Sequence, residues 1–466
     1  MPNIRWMLMH ESHHVVAPSY LDMTAQEITN DVLKRHHSPG NQFWTIAMIL
    51  GGLFVVGLVG LFMLIADGFD NKSAWGYYAA TFGYVFSLSQ TAVLVSVALR
   101  MAKSHWRRPL ARISEMFAIV GVYSFAMLLP LLWVLPSIEG RRSLWFEWPG
   151  NTPHIWDTMA LGSLVICGLA ILYFASLPDL VTDKEVSGKS DEDVSYHPLI
   201  PHWFGAPKHW QLQKIVLGLL GGFYFLMLII VHMLISVDFA MALIPGWKDA
   251  IFPAFHAING IQASIALIIV TMFILRSRSS LGKYLELEQF WALSKILLAT
   301  CLLWFYFWWS SFFTYWYGRM PAEIGVLKYI MFETYSTVFL LAFTMCFVIP
   351  FLILVVNVVR KTIWGPTLAA SVILIGTFFN QVRYYVAGFS VEDHTLHVLE
   401  NLPDFTAPGP IDFMVVVGGI SGAVLTYMLG TRIFPIISIW EIKEGLMLQR
   451  VRKFMKRDIR VLAKPE

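Results

Sequence analysis

The sequence predicts an all-α polytopic membrane protein of about ten transmembrane helices: two four-helix bundles related by a parallel repeat, with two further helices flanking them. Three observations predict it. The 466 residues are 57% hydrophobic and only 14% charged, and the mean hydropathy of +0.61 lies far outside the range of soluble globular chains. Apolar runs of about 20 residues, enough to cross roughly 30 Å of hydrocarbon, recur along the chain. A weak internal match then relates one half of them to the other.

The runs lie near 43–66, 75–99, 112–135, 155–177, 212–236, 248–275, 289–317, 329–358, 364–386 and 411–436. They divide the chain into an N-terminal segment (1–42), a first flanking helix and loop (43–74), a first bundle (75–180) completed by span five, and a linker (181–211). Span five and the second bundle follow (212–386), then an outer loop (387–410), a last flanking helix (411–437) and a basic tail (438–466). Trp75 and Gln90 in span two recur at the same separation as Trp247 and Gln262 in span six, and "SEMFAIV" at 114–120 aligns loosely with "LEQFWAL" at 287–293. Four helices return a chain to its starting side, so spans two to five and six to nine would form units of one orientation. Eighteen Trp and 17 Tyr suit two interfacial belts as well as interhelical packing.

Charge sets the direction. The connections after spans two, six and eight carry Arg100, Lys103, Arg107, Arg108, Arg276, Arg278, Lys283, Arg360 and Lys361, and the tail reads "QRVRKFMKRDIR". The opposite connections are poorer in Lys and Arg and include the acidic "EDHTLHVLENLPD". By the positive-inside rule both termini face the cytoplasm. The polar first 40 residues show no cleavable signal peptide.

Ionisable groups inside spans are costly and point to function by default. His256, Asn259 and Gln262 follow at three-residue steps on span six, along a slowly drifting face. With His232 and Asp238 toward the outer end of span five, Lys295 in span seven and Glu333 near the outer end of span eight, they form a candidate proton path, or else separately satisfied polar groups. Gln90, in the middle of span two among Ser87, Ser89 and Thr91, reads as interhelical glue or a ligand-binding group. Asp157 at the start of span four is either hydrated or functional, and Arg112 with Glu115 reads as an interfacial ion pair. Asn380, Gln381 and Arg383 read equally as an interfacial anchor or a binding site. His232 and His256 are the only histidines well inside spans, the minimum for a bis-His haem b. Cys167, Cys301 and Cys346 form no CxxC, haem-attachment or iron–sulfur spacing. No metal site, Walker loop, nucleophile elbow or nucleic-acid patch is visible.

"HMLISVDFAMALIPGWKDAIFPAFHA" at 232–257 resembles the NrfD/PsrC-like membrane subunits, in particular those of alternative complex III. The order His, "S-V-D-F-A", "I-P-G-W", "I-F-P" carries the likeness. "FFTYWYGRMPAE", "HWRRPLARISEMFAI", "IWDTMA", "YFASLPDL", "YLDMTAQEITNDVL" and "FPIISIWEIKE" extend it over nearly the whole chain. The resemblance implies an anchor for a periplasmic redox arm in the inner membrane of a prokaryote. Its partners would be a second NrfD-like membrane subunit, an iron–sulfur subunit and haem c subunits, besides lipids. The chain itself would bind no cofactor, with menaquinol or ubiquinol as the complex's reductant.

Where the family's quinol-binding subunit resembles "GIGHAGT", this chain has "SLSQTAV", so the quinol-site His falls on Gln90 while the family's membrane Asp falls on Asp157. An imidazole accepts a proton from quinol near neutral pH, whereas an amide only hydrogen-bonds. The resemblance therefore implies an ActF-like subunit with a quinol-site remnant at Gln90 and Asp157, although the loop after span five resembles the ActC type. The expected function is a membrane anchor of a quinol-oxidising complex that contributes a proton path. The alternatives are a stand-alone secondary transporter and an active quinol-binding subunit of the same complex.

Overall fold

The computed structural model describes residues 22–136, 138, 144–145, 152–186, 203, 205–279, 281–454 and 457–462, with side chains as far as Arg450. The first 21 residues, Arg141 and Arg142, and most of the 181–211 linker lie outside the described residues. Among the described residues ten helices are long and apolar enough to cross a membrane: Asn41–Asp67, Lys72–Met101, Arg108–Val134, His154–Val186, Pro207–Leu243, Phe252–Arg278, Leu287–Gly318, Ser336–Val355, Trp364–Ser390 and Pro410–Gly430. The chain is an all-α polytopic membrane protein. A capped helix precedes span one (Ala25–His37), with Thr24 and Glu27 forming a reciprocal capping box. A short helix (Ile439–Met447) follows span ten and leads into a hairpin of β1 (Gln449–Phe454) and β2 (Arg457–Leu462).

Span two is the axis: 89% of its most apolar window is buried, against 17% in span one. It packs on spans three and five of its own bundle and on spans six and nine of the other, and span six packs on seven and nine of its own and on two and five across. That reciprocity is what a parallel repeat requires. The two remaining spans do not straddle the bundles. They pair with each other, and span ten lies against spans two and three, with Phe54 of span one meeting Tyr123 of span three. Gly57 and Gly418 make the pairing so close that a Cβ on Gly57 would stand 2.4 Å from the Gly418 Cα, the close backbone approach that small residues permit in membranes.

Prolines inside spans free carbonyls, and side chains from neighbouring spans take them up. Pro178 has no N–H for the Phe174 carbonyl, which accepts from Gln213 Nε2 of span five at 2.8 Å. The adjacent Ala175 carbonyl accepts from Arg112 Nη2 and from Trp440 Nε1, each at 2.8 Å. In span eight, Pro350 likewise gives nothing to the Cys346 carbonyl, which lies in a π-helical turn (Thr344–Val348) and accepts from Gln262 Nε2 at 2.8 Å. Gln262→Leu would strand that carbonyl, and we expect a loss of about 1–3 kcal/mol in chemical denaturation of the detergent-solubilised protein. A loss below ~0.5 kcal/mol would show the bond to be incidental.

At the basic end a buried ionic network ties the C-terminal helix to spans two, three and four. Arg100 bonds Glu115 (2.5 Å) and Glu441 (2.9 Å), and Arg107 bonds Glu441 (2.6 Å). Arg112 bonds Glu115 (3.3 Å) and Asp179 (3.0 Å), while Arg108 reaches Glu444 (3.1 Å). Asp179 also accepts from the Trp440 backbone N–H at 2.9 Å. The Arg112–Glu115 pair predicted at the interface is thus one link in a larger chain. Burial alone would raise Glu441, but Arg107 and Arg100 hold its carboxyl down to about 2.

Candidate functional site

Spans five and six are joined by a tight, largely buried loop, and this brings His232 and His256 face to face. Their Nδ1 atoms are 2.9 Å apart, both side chains are buried, and His256 Nε2 lies 3.1 Å from the Tyr385 hydroxyl of span nine. Phe86 of span two covers His232, with ring centroids 4.7 Å apart. One turn beyond His256, Gly260 lets the three helices close: a Cβ there would stand 3.1 Å from both His232 Cε1 and Thr91 Cγ2. Thr91 Oγ1 completes the junction by donating to the Gly260 carbonyl at 2.8 Å. The site therefore lies between the bundles, built from spans two and five of one and six and nine of the other.

An Nδ1–Nδ1 contact at this distance needs one nitrogen protonated and the other bare. If His256 Nδ1 carries the hydrogen, its Nε2 accepts from Tyr385. If His232 Nδ1 carries it, His256 becomes the Nε2–H tautomer and donates to the phenol oxygen. Going from the first state to the second takes one proton in at the Tyr385 oxygen and releases one at His232 Nε2, with the hydrogens between them each shifted across one hydrogen bond, which is what a proton relay must be able to do. His232 Nε2, where that proton leaves, is buried and has no hydrogen-bond partner among the described residues. In this arrangement the two Nδ1 atoms bond each other and stand closer than the roughly 4 Å, twice a metal–nitrogen bond, that an iron held between two nitrogens needs. Among the described residues no group of three or more His, Cys, Asp or Glu is placed to hold a metal ion.

The other predicted path residues are dispersed. Six residues advance a helix by 600°, so Gln262 points about 120° away from His256. Asn259 accepts from Trp304 Nε1 of span seven (2.9 Å), and Gln262 Nε2 meets Cys301 Sγ (3.1 Å) besides the Cys346 carbonyl. Asp238 accepts from Trp145 Nε1 at 2.6 Å. Lys295 is exposed and lies over the Trp291 ring at 3.6 Å. Glu333 is about half exposed and pairs with Lys328 at 3.4 Å, so neither of these two joins the histidines. Gln90 is fully buried, bonds Ser89 Oγ (3.2 Å) and receives Tyr224 OH on its Oε1 (3.3 Å). A Cβ on Gly121 of span three would meet its Nε2 at 2.6 Å, so Gln90 knits spans two, three and five with no room for a ring-sized ligand beside it. Asp157 is buried at the start of span four.

The residues that sequence reasoning undervalued are on span nine. A π-helical turn (Val382–Val386) re-aims three side chains at once. Tyr385 reaches His256, while Arg383 is wholly buried instead of anchoring at the interface. Arg383 Nη2 bonds Asn380 Oδ1 (2.8 Å) and the Tyr384 hydroxyl, and its guanidinium stacks 4.3 Å from the Tyr384 ring and 5.0 Å from that of Phe339. Among the described residues it forms no ion pair, so aromatic faces carry the charge. Beyond Tyr384 a cavity of about 10 Å³, room for about one water, separates it from Asp249 and Ser311. Burial pushes Asp249 above the usual carboxylate range, against hydrogen bonds from Ser311 and the Ile251 backbone N–H. Compared with protein-family models and with curated proteins, the chain matches none.

Proposed function

We propose that the chain is a membrane-anchor subunit of a quinol-oxidising electron-transfer complex of the alternative complex III type, and that Tyr385, His256 and His232 handle protons within it. The observation that carries the proton-handling part is the hydrogen-bonded His–His–Tyr chain, buried where the two bundles meet. The sequence resemblance supports the kind of complex, and the basic end with both termini supports a cytoplasmic placement in a prokaryotic inner membrane. The contacts of Gln90 with Ser89, Tyr224 and the Gly121 backbone support placing quinol oxidation in a neighbouring subunit, with haem c and iron–sulfur centres in the redox arm. Electron transfer there would bias the tautomer of the pair through the bundle interface, moving one proton per switch.

A second reading, a stand-alone secondary transporter, draws support from the same placement of a polar site between repeated bundles. Quinol-driven proton translocation by the reconstituted complex separates the two. Glu333→Gln and Lys295→Gln should leave the proton-to-electron ratio unchanged, because both side chains lie on the surface. A fall in that ratio with either variant would move the path away from the histidines, and absence of any quinol-driven translocation would favour the transporter.

A further inference from the structure

We infer that the cleft between the N-terminal helix and the basic ends of spans one, six and ten is a binding site for an anionic phospholipid. The cleft measures about 820 Å³. Its rim carries Arg35, His36, Arg278 and Arg432, and no acidic side chain lines it. Arg35 is already engaged, with Asp31 at 3.1 Å and the Ser279 carbonyl at 2.7 Å. Among the described residues Arg432 donates only to the His36 carbonyl and stands 5.8 Å over Phe43, and neither it nor Arg278 meets a carboxylate. Two cations thus face a space with room for a phosphate. Burial, opposed by Asp183 and reinforced by the charge of Arg432, lowers His36 below its usual range, so the arginines and not the histidine supply the positive charge.

The floor decides what kind of anion is bound. It is made by residues of the spans themselves, and Ile46, Ile274 and Val424 remain 45%, 52% and 44% exposed, which opens the cleft sideways toward the hydrocarbon. A soluble phosphate has no use for that surface, whereas an acyl chain packs against it within the bilayer. A charged rim at the helix ends over an apolar floor open to the bilayer is the shape of a lipid headgroup above its chains. The inference does not depend on the chain's role in electron transfer.

The test is native mass spectrometry of the purified full chain with added phosphatidylglycerol, phosphatidylcholine or inorganic phosphate. Phosphatidylglycerol should be retained, phosphatidylcholine and phosphate should not, and Arg278→Gln and Arg432→Gln should each weaken retention about fivefold. Arg278 is exposed, so its variant folds normally even if Arg432→Gln does not. Equal retention of phosphatidylcholine, or variants that retain phosphatidylglycerol like the wild type, would overturn the inference. Retention that appears only after residues 1–21 are removed would assign the cleft to the chain's own N-terminal segment, and overturns it too.

Discussion

Glu441→Ala lowers the stability of the protein by about 3–5 kcal/mol, the cost of stripping a partner from a buried charge. Its carboxylate is 1% exposed and bridges Arg100 and Arg107, and its loss leaves the Arg107 guanidinium without an acceptor among the described residues. Arg100 keeps Glu115, so the damage centres on the docking of the C-terminal helix. The pH dependence follows from the direction of the Glu441 shift. Its folded-state value, about 2, lies below the ordinary 4.5, so the stabilisation is complete above pH 4.5 and fades as pH falls toward about 2. The whole contribution is about 3 kcal/mol. In thermal unfolding followed by tryptophan fluorescence, the gap between wild type and variant should be widest near neutral pH and should close on acidification. A variant within about 1 kcal/mol of wild type at pH 7 would mean the network is no stronger than a surface pair.

The second large effect is expected at the histidines. His256→Leu breaks the relay in its middle, and proton uptake coupled to turnover should fall about 10²-fold or more, the range typical of losing an acid–base group. Because a leucine also disturbs packing, Tyr385→Phe is the sharper probe. It keeps the ring, removes only the hydroxyl 3.1 Å from His256, and should slow proton uptake while leaving thermal stability within ~1 kcal/mol. His256→Gln restores a hydrogen bond but not a titrating group, so a structural role would be rescued by it and a relay would not. Normal uptake in His256→Gln would assign the pair to packing alone.

Most of the fold was legible, because hydropathy over about 20 residues reports directly on the bilayer. Span eight shows where that reading stops. Its apolar run begins at 329, but a π-helical turn at Lys328–Phe332 and a break at Glu333 delay the spanning helix to Ser336. The repeat was visible in Trp75, Gln90, Trp247 and Gln262, whereas the pairing of spans one and ten rests on glycine contacts between residues hundreds of positions apart. His232 and His256 were legible as intramembrane histidines. Their direct bond was not, since it depends on how the loop after Asp238 turns. Asn259 and Gln262 misled because a three-residue step drifts round the helix, and Arg383 misled because a π turn is invisible to periodicity. The Glu441 network joins residues as much as 341 positions apart and leaves no local pattern to read.

If this chain works inside a quinol-oxidising complex, as proposed, its partners come with it. Gentle purification from the native membrane, followed by a visible spectrum before and after adding quinol, tests it most directly. Co-purifying iron–sulfur and haem c subunits are expected, with a second membrane subunit of the same kind and haem bands that sharpen on reduction by quinol. A colourless, monodisperse single chain with no spectral response to quinol would contradict the proposal.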